Sequence, residues 1–264
     1  MWLRGLAAGL VAGLVVGIGM TPAAAVSNKP DPAVAALPAT TITVSAAASL
    51  TDVFPVIAQA FSTRYPRLSV QFNFGGSNAL VEQLRAGAPV DVLATASEPT
   101  MWAAIRGGWV SSTPLLFARN SMVIAAPAGN PARIAALSDL QSPNVLTAVC
   151  AIEVPCGLAA QRLFSVNNVT VTPVTKELDV RSVLGKVIAD QVDAGIVYST
   201  DAKSAGKAVT TIKIPASKNV TTTYPIALVT DSSKRKAATA FIDYVRYSTS
   251  AQSILRAWGF SKPW

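Results

Sequence analysis

The chain has 264 residues, of which 51% are hydrophobic, and it carries a net charge of +8 without a single histidine. This length is enough for one large domain or two small ones. The lack of histidine excludes Ser-His-Asp and Cys-His catalysis and removes the commonest ligand of transition metals. The Lys and Arg residues are scattered rather than clustered, so the positive charge predicts no nucleic-acid-binding surface.

The N-terminus has the pattern of an export signal. Arg4 precedes an apolar run over residues 6–19, and Ala23-Ala24-Ala25 then matches the small residues that signal peptidase requires. We predict a cleaved signal peptide over residues 1–25; a membrane anchor is the alternative, for which the run is short. Residues 26–40 contain three prolines and several alanines, which predicts a disordered tether. The mature protein is therefore expected in the periplasm or the cell-wall space.

Strands and helices alternate from Ile42 onward, which predicts an α/β fold with parallel sheets. Pro55 in the first helix has no N–H to donate, so this helix must begin close to it. Gly87 is a suitable C-terminal stop for the second helix. In this first half, strands are predicted over residues 41–44, 68–74 and 90–96, and helices over residues 50–61 and 79–86.

The second half continues the same alternation. Asp179 precedes an amphipathic pattern from Val180 to Ile188 and is predicted to be its N-cap. Strands are predicted over residues 122–126, 145–149, 194–198 and 224–230, and further helices over residues 157–164, 237–247 and 250–258.

Two turns between a strand and a helix contain serine among small residues. Ser49 follows the first strand, and Ser77 follows the second strand. Helix starts expose N–H groups without a partner in the helix and carry partial positive charge, so two such turns could form an anion site without Lys or Arg. The alternative is that both serines are only N-caps.

Cys150 and Cys156 are the only two cysteines. In an exported protein, two cysteines this close together predict a disulfide, which would contribute about 2 kcal/mol and fix the loop over residues 153–155. The alternative is a pair of reduced, buried thiols. The sequence contains no acid dyad, no Walker loop and no dinucleotide fingerprint, so ligand binding is favoured over catalysis.

Several blocks of the sequence resemble one known family. In chain order, the blocks run from Thr41 to Phe260 and cover essentially the whole mature chain. Together they resemble the molybdate-binding proteins of ABC importers, the ModA family. The matching blocks are residues 44–50, 85–92, 120–127, 179–181, 195–202 and 224–227.

The resemblance implies a bilobal fold of the type II periplasmic-binding-protein class, with the ligand between two α/β lobes. Lobe 1 is expected to comprise residues 41–120 and 226–264, and lobe 2 residues 121–225. The crossover strands would then pass between the lobes near Ser121-Met122 and Tyr224-Pro225.

The resemblance also implies five ligand positions for a tetrahedral oxyanion. They are the hydroxyls of Ser49, Ser77 and Tyr198 and the backbone N–H groups of Cys156 and Val180. The family often has alanine at the position of Cys156, and Gly75-Gly76 replaces a serine-rich turn, so Asn78 or a neighbouring N–H could share that role. Taken singly, Val180 and Tyr198 could be core residues and Cys156 purely structural.

The predicted function is capture of molybdate or tungstate and delivery to the membrane permease of an ABC importer, by a monomer that is not an enzyme. No cofactor, direct metal ligand or nucleic-acid partner is expected. These dianions are fully deprotonated, so a site made only of donors suits them. Phosphate keeps a proton and would need an acceptor such as Glu177 or Asp179, but Asp179 is expected to cap its helix and point away. The alternatives are a sulfate or phosphate receptor, a secreted serine hydrolase and a surface adhesin.

Overall fold

The computed structural model describes residues 30–263. The predicted signal peptide, residues 1–25, lies outside this range, as do residues 26–29 of the predicted tether. Within the rest of that tether, Pro32–Ala35 form a short helix, α1, which Asp31 caps. The backbone N–H of Asp31 also donates to the hydroxyl of Tyr65, so this part of the segment is ordered against the body of the protein. None of the helices in the described residues is both long and apolar enough to span a membrane.

Strands and helices alternate along most of the described chain. The strands are β1 (Thr40–Ala47), β2 (Leu68–Gly75), β3 (Val92–Ala94), β4 (Leu115–Pro127), β5 (Thr147–Cys150), β6 (Thr175–Glu177), β7 (Ala194–Tyr198), β8 (Val209–Lys213) and β9 (Thr221–Leu228). After α1 the helices are α2 (Val53–Arg64), α3 (Ser77–Arg85), α4 (Glu98–Arg106), α5 (Pro155–Val166), α6 (Val180–Ile188), α7 (Ser199–Ala205), α8 (Arg235–Tyr247) and α9 (Thr249–Ala257).

One long strand, β4, belongs to two halves of the sheet. Its first part, Leu115 to Ser121, pairs antiparallel with β9, which also pairs with β3, and β1 lies parallel between β3 and β2. Its second part, from Met122 to Pro127, pairs with β7 and β8, and β5 lies parallel between β7 and β6. This α/β arrangement agrees with the predicted fold class. The prediction of parallel sheets holds for β1–β3 and β5–β7 but is wrong for β4, β8 and β9, which pair antiparallel.

The strand pairing marks where the chain passes between the two halves. The outgoing passage lies at Ser121-Met122, where β4 changes partners. On the return, Thr221 already pairs with Ser121, so β9 joins the first half a few residues before the expected Tyr224-Pro225. The run of threonines that opens β9 lacks the apolar pattern of a buried strand, which is why the sequence placed the strand later. We define lobe 1 as residues 40–121 and 221–263, and lobe 2 as residues 122–220.

Each lobe has a buried core that fixes its strands and helices. In lobe 1, the rings of Phe54, Phe61 and Phe241 pack edge to face at 5.3 and 6.2 Å between centroids. Pro55 is the third residue of α2 and so lies in the first turn, where its missing N–H costs no helix bond. In lobe 2, Val183 and Val187 of α6 are buried beneath the sheet. The loops that follow the strands are therefore anchored to two well-packed lobes.

Candidate functional site

A small cavity lies where four strand-to-helix junctions meet between the lobes. Its volume is about 20 Å³, room for one small ion and far below the ~300–1,000 Å³ usual for organic ligands. All five predicted ligand positions line it. The lining residues are Ala47, Ala48, Ser49, Gly75, Gly76, Ser77, Ala96, Val154, Pro155, Cys156, Leu178, Asp179, Val180 and Tyr198.

The cavity is surrounded by helix starts from both lobes. Lobe 1 contributes the 3₁₀ turn Ala48–Leu50 after β1 and the first residue of α3 after β2. Lobe 2 contributes the starts of α5 and α6, after β5 and β6. The first N–H groups of a helix have no partner within it, and the helix dipole adds partial positive charge there. Four such starts around one small space form a site for an anion.

Ser49 and Ser77 are buried in this cavity, and neither is an N-cap. The cap positions are occupied by Ala47 and Gly76, without a side-chain cap bond, so the alternative interpretation of the serines as caps is wrong. The hydroxyl of Ser77 accepts from the backbone N–H of Ala96 at 3.1 Å. Its own hydrogen therefore remains available to donate to a ligand.

Tyr198 lies at the end of β7 and is fully buried. Its hydroxyl makes no hydrogen bond of ordinary geometry within the described residues, although the hydroxyls of Thr222 and Tyr224 lie close enough to influence it. A buried, unsatisfied hydroxyl costs about 1–3 kcal/mol, so an oxygen of a ligand would be its natural acceptor. Burial, reinforced by the nearby Tyr224 and Asp201, raises the pKa of Tyr198 well above its usual value. The phenol is thus protonated and can donate.

Tyr224 is a site residue that the sequence did not single out. Its hydroxyl lies 2.9 Å from the hydroxyl of Ser49 and 3.3 Å from the side-chain nitrogen of Asn120. Burial raises the pKa of Tyr224, with Asp201 adding to the effect, so the phenol keeps its proton. Tyr224 therefore orients the Ser49 hydroxyl from behind. Its position in a matching block was the available signal, but an aromatic residue in a strand usually indicates core.

The predicted disulfide is present between Cys150 and Cys156. Cys150 ends β5 and Cys156 is the second residue of α5, so the bond closes the short loop that ends at Cys156 in the cavity lining. A Cβ at Gly157 would lie 1.8 Å from the carbonyl oxygen of Ala151. The loop therefore packs directly on the helix backbone, and cysteine can stand at Cys156 because the position offers its backbone.

The charges around the cavity differ from those of most anion sites. Among the residues that the structure describes, the lining contains no Lys or Arg, and its one charged member is Asp179. The Asp179 carboxylate accepts from the N–H groups of Arg181 and Ser182 and from the Ser182 hydroxyl, so it caps α6 as predicted. Glu177 accepts from Thr175 and lies 3.6 Å from Lys186. Both carboxylates are thus engaged, which leaves the cavity a site of donors.

Asn78 and Gly76 connect the lobes beside the cavity. The Asn78 side chain donates to the carbonyl of Glu153 across the cleft and is not part of the cavity lining, so the structure does not give it the shared ligand role. A Cβ at Gly76 would lie 2.4 Å from the carbonyl oxygen of Leu178. The glycine that departs from the family pattern therefore allows lobe 1 to touch lobe 2.

Within residues 30–263, no group of three or more His, Cys, Asp or Glu side chains could hold a metal ion. What the cavity offers is hydroxyl and N–H donors in a space that fits one small anion. Such an arrangement can bind and desolvate an oxyanion by charge-assisted hydrogen bonds.

Comparisons with known proteins agree with this arrangement. Residues 42–261 match the family described as bacterial extracellular solute-binding protein. The molybdate-binding protein ModA of Mycobacterium tuberculosis is 38% identical over 262 residues, which are 99% of each chain.

Two solved structures share the fold. The periplasmic molybdate-binding protein of Azotobacter vinelandii has a TM-score of 0.74 at 16% identity, covering 84% of this chain and all of that one. The sulfate-binding protein SubI of Mycobacterium tuberculosis has a TM-score of 0.72 at 21% identity, covering 84% and 87%. On the sequence and the fold together, the chain belongs to the bacterial extracellular solute-binding proteins, in the ModA family.

Proposed function

We propose that this protein captures molybdate and tungstate outside the cytoplasmic membrane. The observation that carries the proposal is the buried Tyr198 hydroxyl, which lacks a partner in the described chain and lines a cavity of helix starts. A tetrahedral dianion would accept from this hydroxyl, from those of Ser49 and Ser77 and from backbone N–H groups. The 38% identity to a ModA protein over the full chain supports molybdate as the ligand.

The family is one of solute-binding proteins and not of enzymes. The serines of the cavity agree with this, because the Ser77 hydroxyl accepts from a backbone N–H and the Ser49 hydroxyl contacts a protonated phenol. Neither partner is a general base. The family does not support a secreted serine hydrolase, and binding without turnover is the function that remains.

Molybdate must be separated from sulfate by size, because both are tetrahedral dianions with the same acceptors. The fold does not decide between them, since a sulfate-binding protein shares it. In a cavity between two firm lobes, the larger anion reaches all donors at once, whereas the smaller one leaves some of them unmet. Phosphate near neutral pH carries a proton, and the two nearby carboxylates, Glu177 and Asp179, are already engaged.

The location is extracytoplasmic, as the family is extracellular. Within that space we propose the periplasm or the cell-wall space, reached by a cleaved signal peptide over residues 1–25. The proposed partner is the membrane permease of an ABC importer, which would receive the anion from a monomeric binding protein. No cofactor is proposed, and the oxyanion is cargo.

Isothermal titration calorimetry of the protein from Val26 onward against molybdate, tungstate, sulfate and phosphate tests this function. We expect one-to-one binding of molybdate and tungstate and far weaker binding of sulfate. Ser77→Ala should weaken molybdate binding about tenfold or more, the loss of one hydrogen bond to a charged group. Ser62→Ala is the matched control, because Ser62 donates to Leu68 far from the cavity. A preference for sulfate or phosphate, or no binding of any anion, would overturn the proposal.

A further inference from the structure

Arg181 lies beside the cavity without lining it and holds two carboxylates at once. It is the second residue of α6. One terminal nitrogen of its guanidinium, Nη2, donates to an oxygen of Asp52 at 2.5 Å. Nε lies 2.9 Å from an oxygen of Asp201, as an ion pair without the geometry of a hydrogen bond. The fork of an arginine suits two carboxylates in this way, which a lysine ammonium does not.

The two carboxylates belong to different lobes. Asp52 precedes α2 in lobe 1, whereas Asp201 lies in α7 of lobe 2, the lobe that also carries Arg181. The Asp52–Arg181 pair therefore crosses the cleft. Other ion pairs, such as Lys186 with Glu177 and Lys234 with Asp91, each stay within one lobe.

Both ends of the crossing pair adjoin the cavity. Asp52 is three residues beyond Ser49, and Arg181 follows Val180 directly, so each end is close in sequence to a cavity-lining residue. Separation of the lobes would break the Asp52–Arg181 pair and, in the same movement, draw the start of α6 away from the serines of lobe 1.

Burial differs between the two carboxylates, and this gives them different roles. The Asp201 side chain is fully buried within lobe 2 beside Nε of Arg181, so this contact stays in place whether the cleft is open or closed. It thereby holds the guanidinium in place. The side chains of Asp52 and Arg181 are 33% and 26% exposed, so their pairing removes only part of their hydration. Such a preorganised pair favours the closed form.

We propose that Arg181 is a positioning residue whose ion pair with Asp52 keeps the cleft closed over the bound anion and so slows its release. This inference rests on the proposed function, because it concerns the anion held in the same cavity. In this proposal the Asp52–Arg181 pair controls the dissociation rate of the anion, and the donors in the cavity determine which anion binds. An interaction shifts the open–closed equilibrium towards the closed form only if it is made in the closed form and not in the open one.

The test is a chase experiment on Asp52→Asn with radiolabelled molybdate. Bound label is chased with excess unlabelled molybdate, release is followed by filter binding, and the association rate follows from the dissociation rate and the calorimetric affinity. Asp52→Asn should release molybdate about three- to tenfold faster than the wild type, with a smaller change in association and an unchanged melting temperature. Raising the salt concentration should shrink the difference, since the pair is partly exposed.

Matched variants distinguish a specific effect of the Asp52–Arg181 pair on release from a general effect of charge. Asp52→Glu keeps the carboxylate and should restore slow release in part, and Arg181→Lys should release faster because it cannot hold both carboxylates. Lys186→Gln removes a cation from the same helix that pairs within lobe 2, and it should release molybdate at the wild-type rate.

Either of two results would overturn the proposed role of the Asp52–Arg181 pair while the proposed function stands. One is wild-type binding with an unchanged release rate in Asp52→Asn; the other is an effect confined to association. Absence of binding in the wild type would overturn both proposals together.

Discussion

At the scale of single residues, the buried hydroxyl of Tyr198 favours binding of a ligand that can accept a hydrogen bond. Its hydroxyl is buried without a partner among the described residues, whereas the neighbouring Tyr224 hydroxyl contacts Ser49 and Asn120. A buried donor without an acceptor lowers the stability of the empty protein, and this cost is removed only when a ligand supplies an acceptor.

Tyr198→Phe should separate binding from folding. We expect molybdate affinity to fall about ten- to a hundredfold, the cost of one hydrogen bond to a charged group at about 1.5–3 kcal/mol. The free energy of unfolding of the empty protein should not fall, because the lost hydroxyl has no partner there. Calorimetry and urea unfolding measure the two effects. Tyr244→Phe, in the lobe 1 core against Phe61, is the control; unchanged affinity in Tyr198→Phe would remove Tyr198 from the site.

Asp201 makes the stability of the protein depend on pH. Burial raises the pKa of Asp201 from 3.8 to about 7, although Arg181 and the backbone of Tyr198 act to lower it. Between these two pKa values the folded protein holds a proton that the unfolded chain releases. Asp201 therefore contributes less to the free energy of unfolding as the pH rises towards 7, and its contribution is constant above that.

Asp201→Asn should reveal this contribution. The variant does not titrate at this position, so its free energy of unfolding relative to the wild type should rise between about pH 5 and about pH 7 and then level off. Urea unfolding of both proteins across this range measures the difference. Asp243, whose pKa is also raised by burial, is present in both proteins and cancels. A difference that does not change with pH would contradict a raised pKa at Asp201.

At the scale of elements, the disulfide ties the end of β5 to the first turn of α5. This connection sets the position of the Cys156 N–H, which no side chain could replace. The cap position Val154 gives no side-chain bond, so the start of α5 is defined by the covalent link and by the close packing of Gly157 on the carbonyl of Ala151.

Replacing both Cys150 and Cys156 with serine should therefore affect folding and binding together. The free energy of unfolding should fall by about 2 kcal/mol, as expected for a short loop. Molybdate affinity should also fall, because the loop that presents the Cys156 N–H is released. Urea unfolding and calorimetry provide the two measurements. Lower stability with wild-type affinity would show that the disulfide stabilises the fold without positioning the site.

The sequence predicted elements well where apolar residues repeat. The strand over residues 194–198 has the predicted bounds, and Asp179 caps α6 as expected. Two missed elements lack such a signal: α7 (Ser199–Ala205) is polar and short, and β6 (Thr175–Glu177) has no fully buried residue. Two others, α4 (Glu98–Arg106) and β8 (Val209–Lys213), carry buried apolar residues and were missed nonetheless. Their structure comes from partners in the lobe, which a local pattern does not show.

At the scale of the whole molecule, the two lobes touch at Gly76. Its backbone conformation, with φ −60° and ψ 132°, is open to any residue, so the reason for glycine is space and not backbone freedom. The carbonyl of Leu178 in lobe 2 occupies the place where a side chain would begin. Closure of the cleft therefore depends on the absence of one methyl group.

Gly76→Ala should weaken binding by hindering closure. The new Cβ would lie 2.4 Å from a backbone oxygen, and overpacking of this kind costs about 1–3 kcal/mol, which corresponds to about 5- to 150-fold in affinity. Gly185→Ala is the control, since Gly185 lies outside the cavity lining and its added Cβ would meet nothing within 4 Å. Calorimetry and small-angle X-ray scattering with molybdate would follow affinity and closure. Equal affinities for both variants would contradict a contact that limits closure.

The five predicted ligand positions came from the family resemblance, and the structure brings all five to one cavity. What the sequence could not supply are contacts between residues far apart in the chain. The Ser49–Tyr224 contact spans 175 residues and the Asp52–Arg181 pair spans 129. The first contact forms when lobe 1 folds and the second when the two lobes meet, and no local spacing encodes either.

The most direct test of the account is a crystal structure with tungstate, located by its anomalous scattering. One strong peak is expected in the cavity, with the anion oxygens within hydrogen-bond distance of the hydroxyls of Ser49, Ser77 and Tyr198 and of the N–H groups of Cys156 and Val180. A peak at another place, or an anion in the cavity that does not contact these donors, would contradict it.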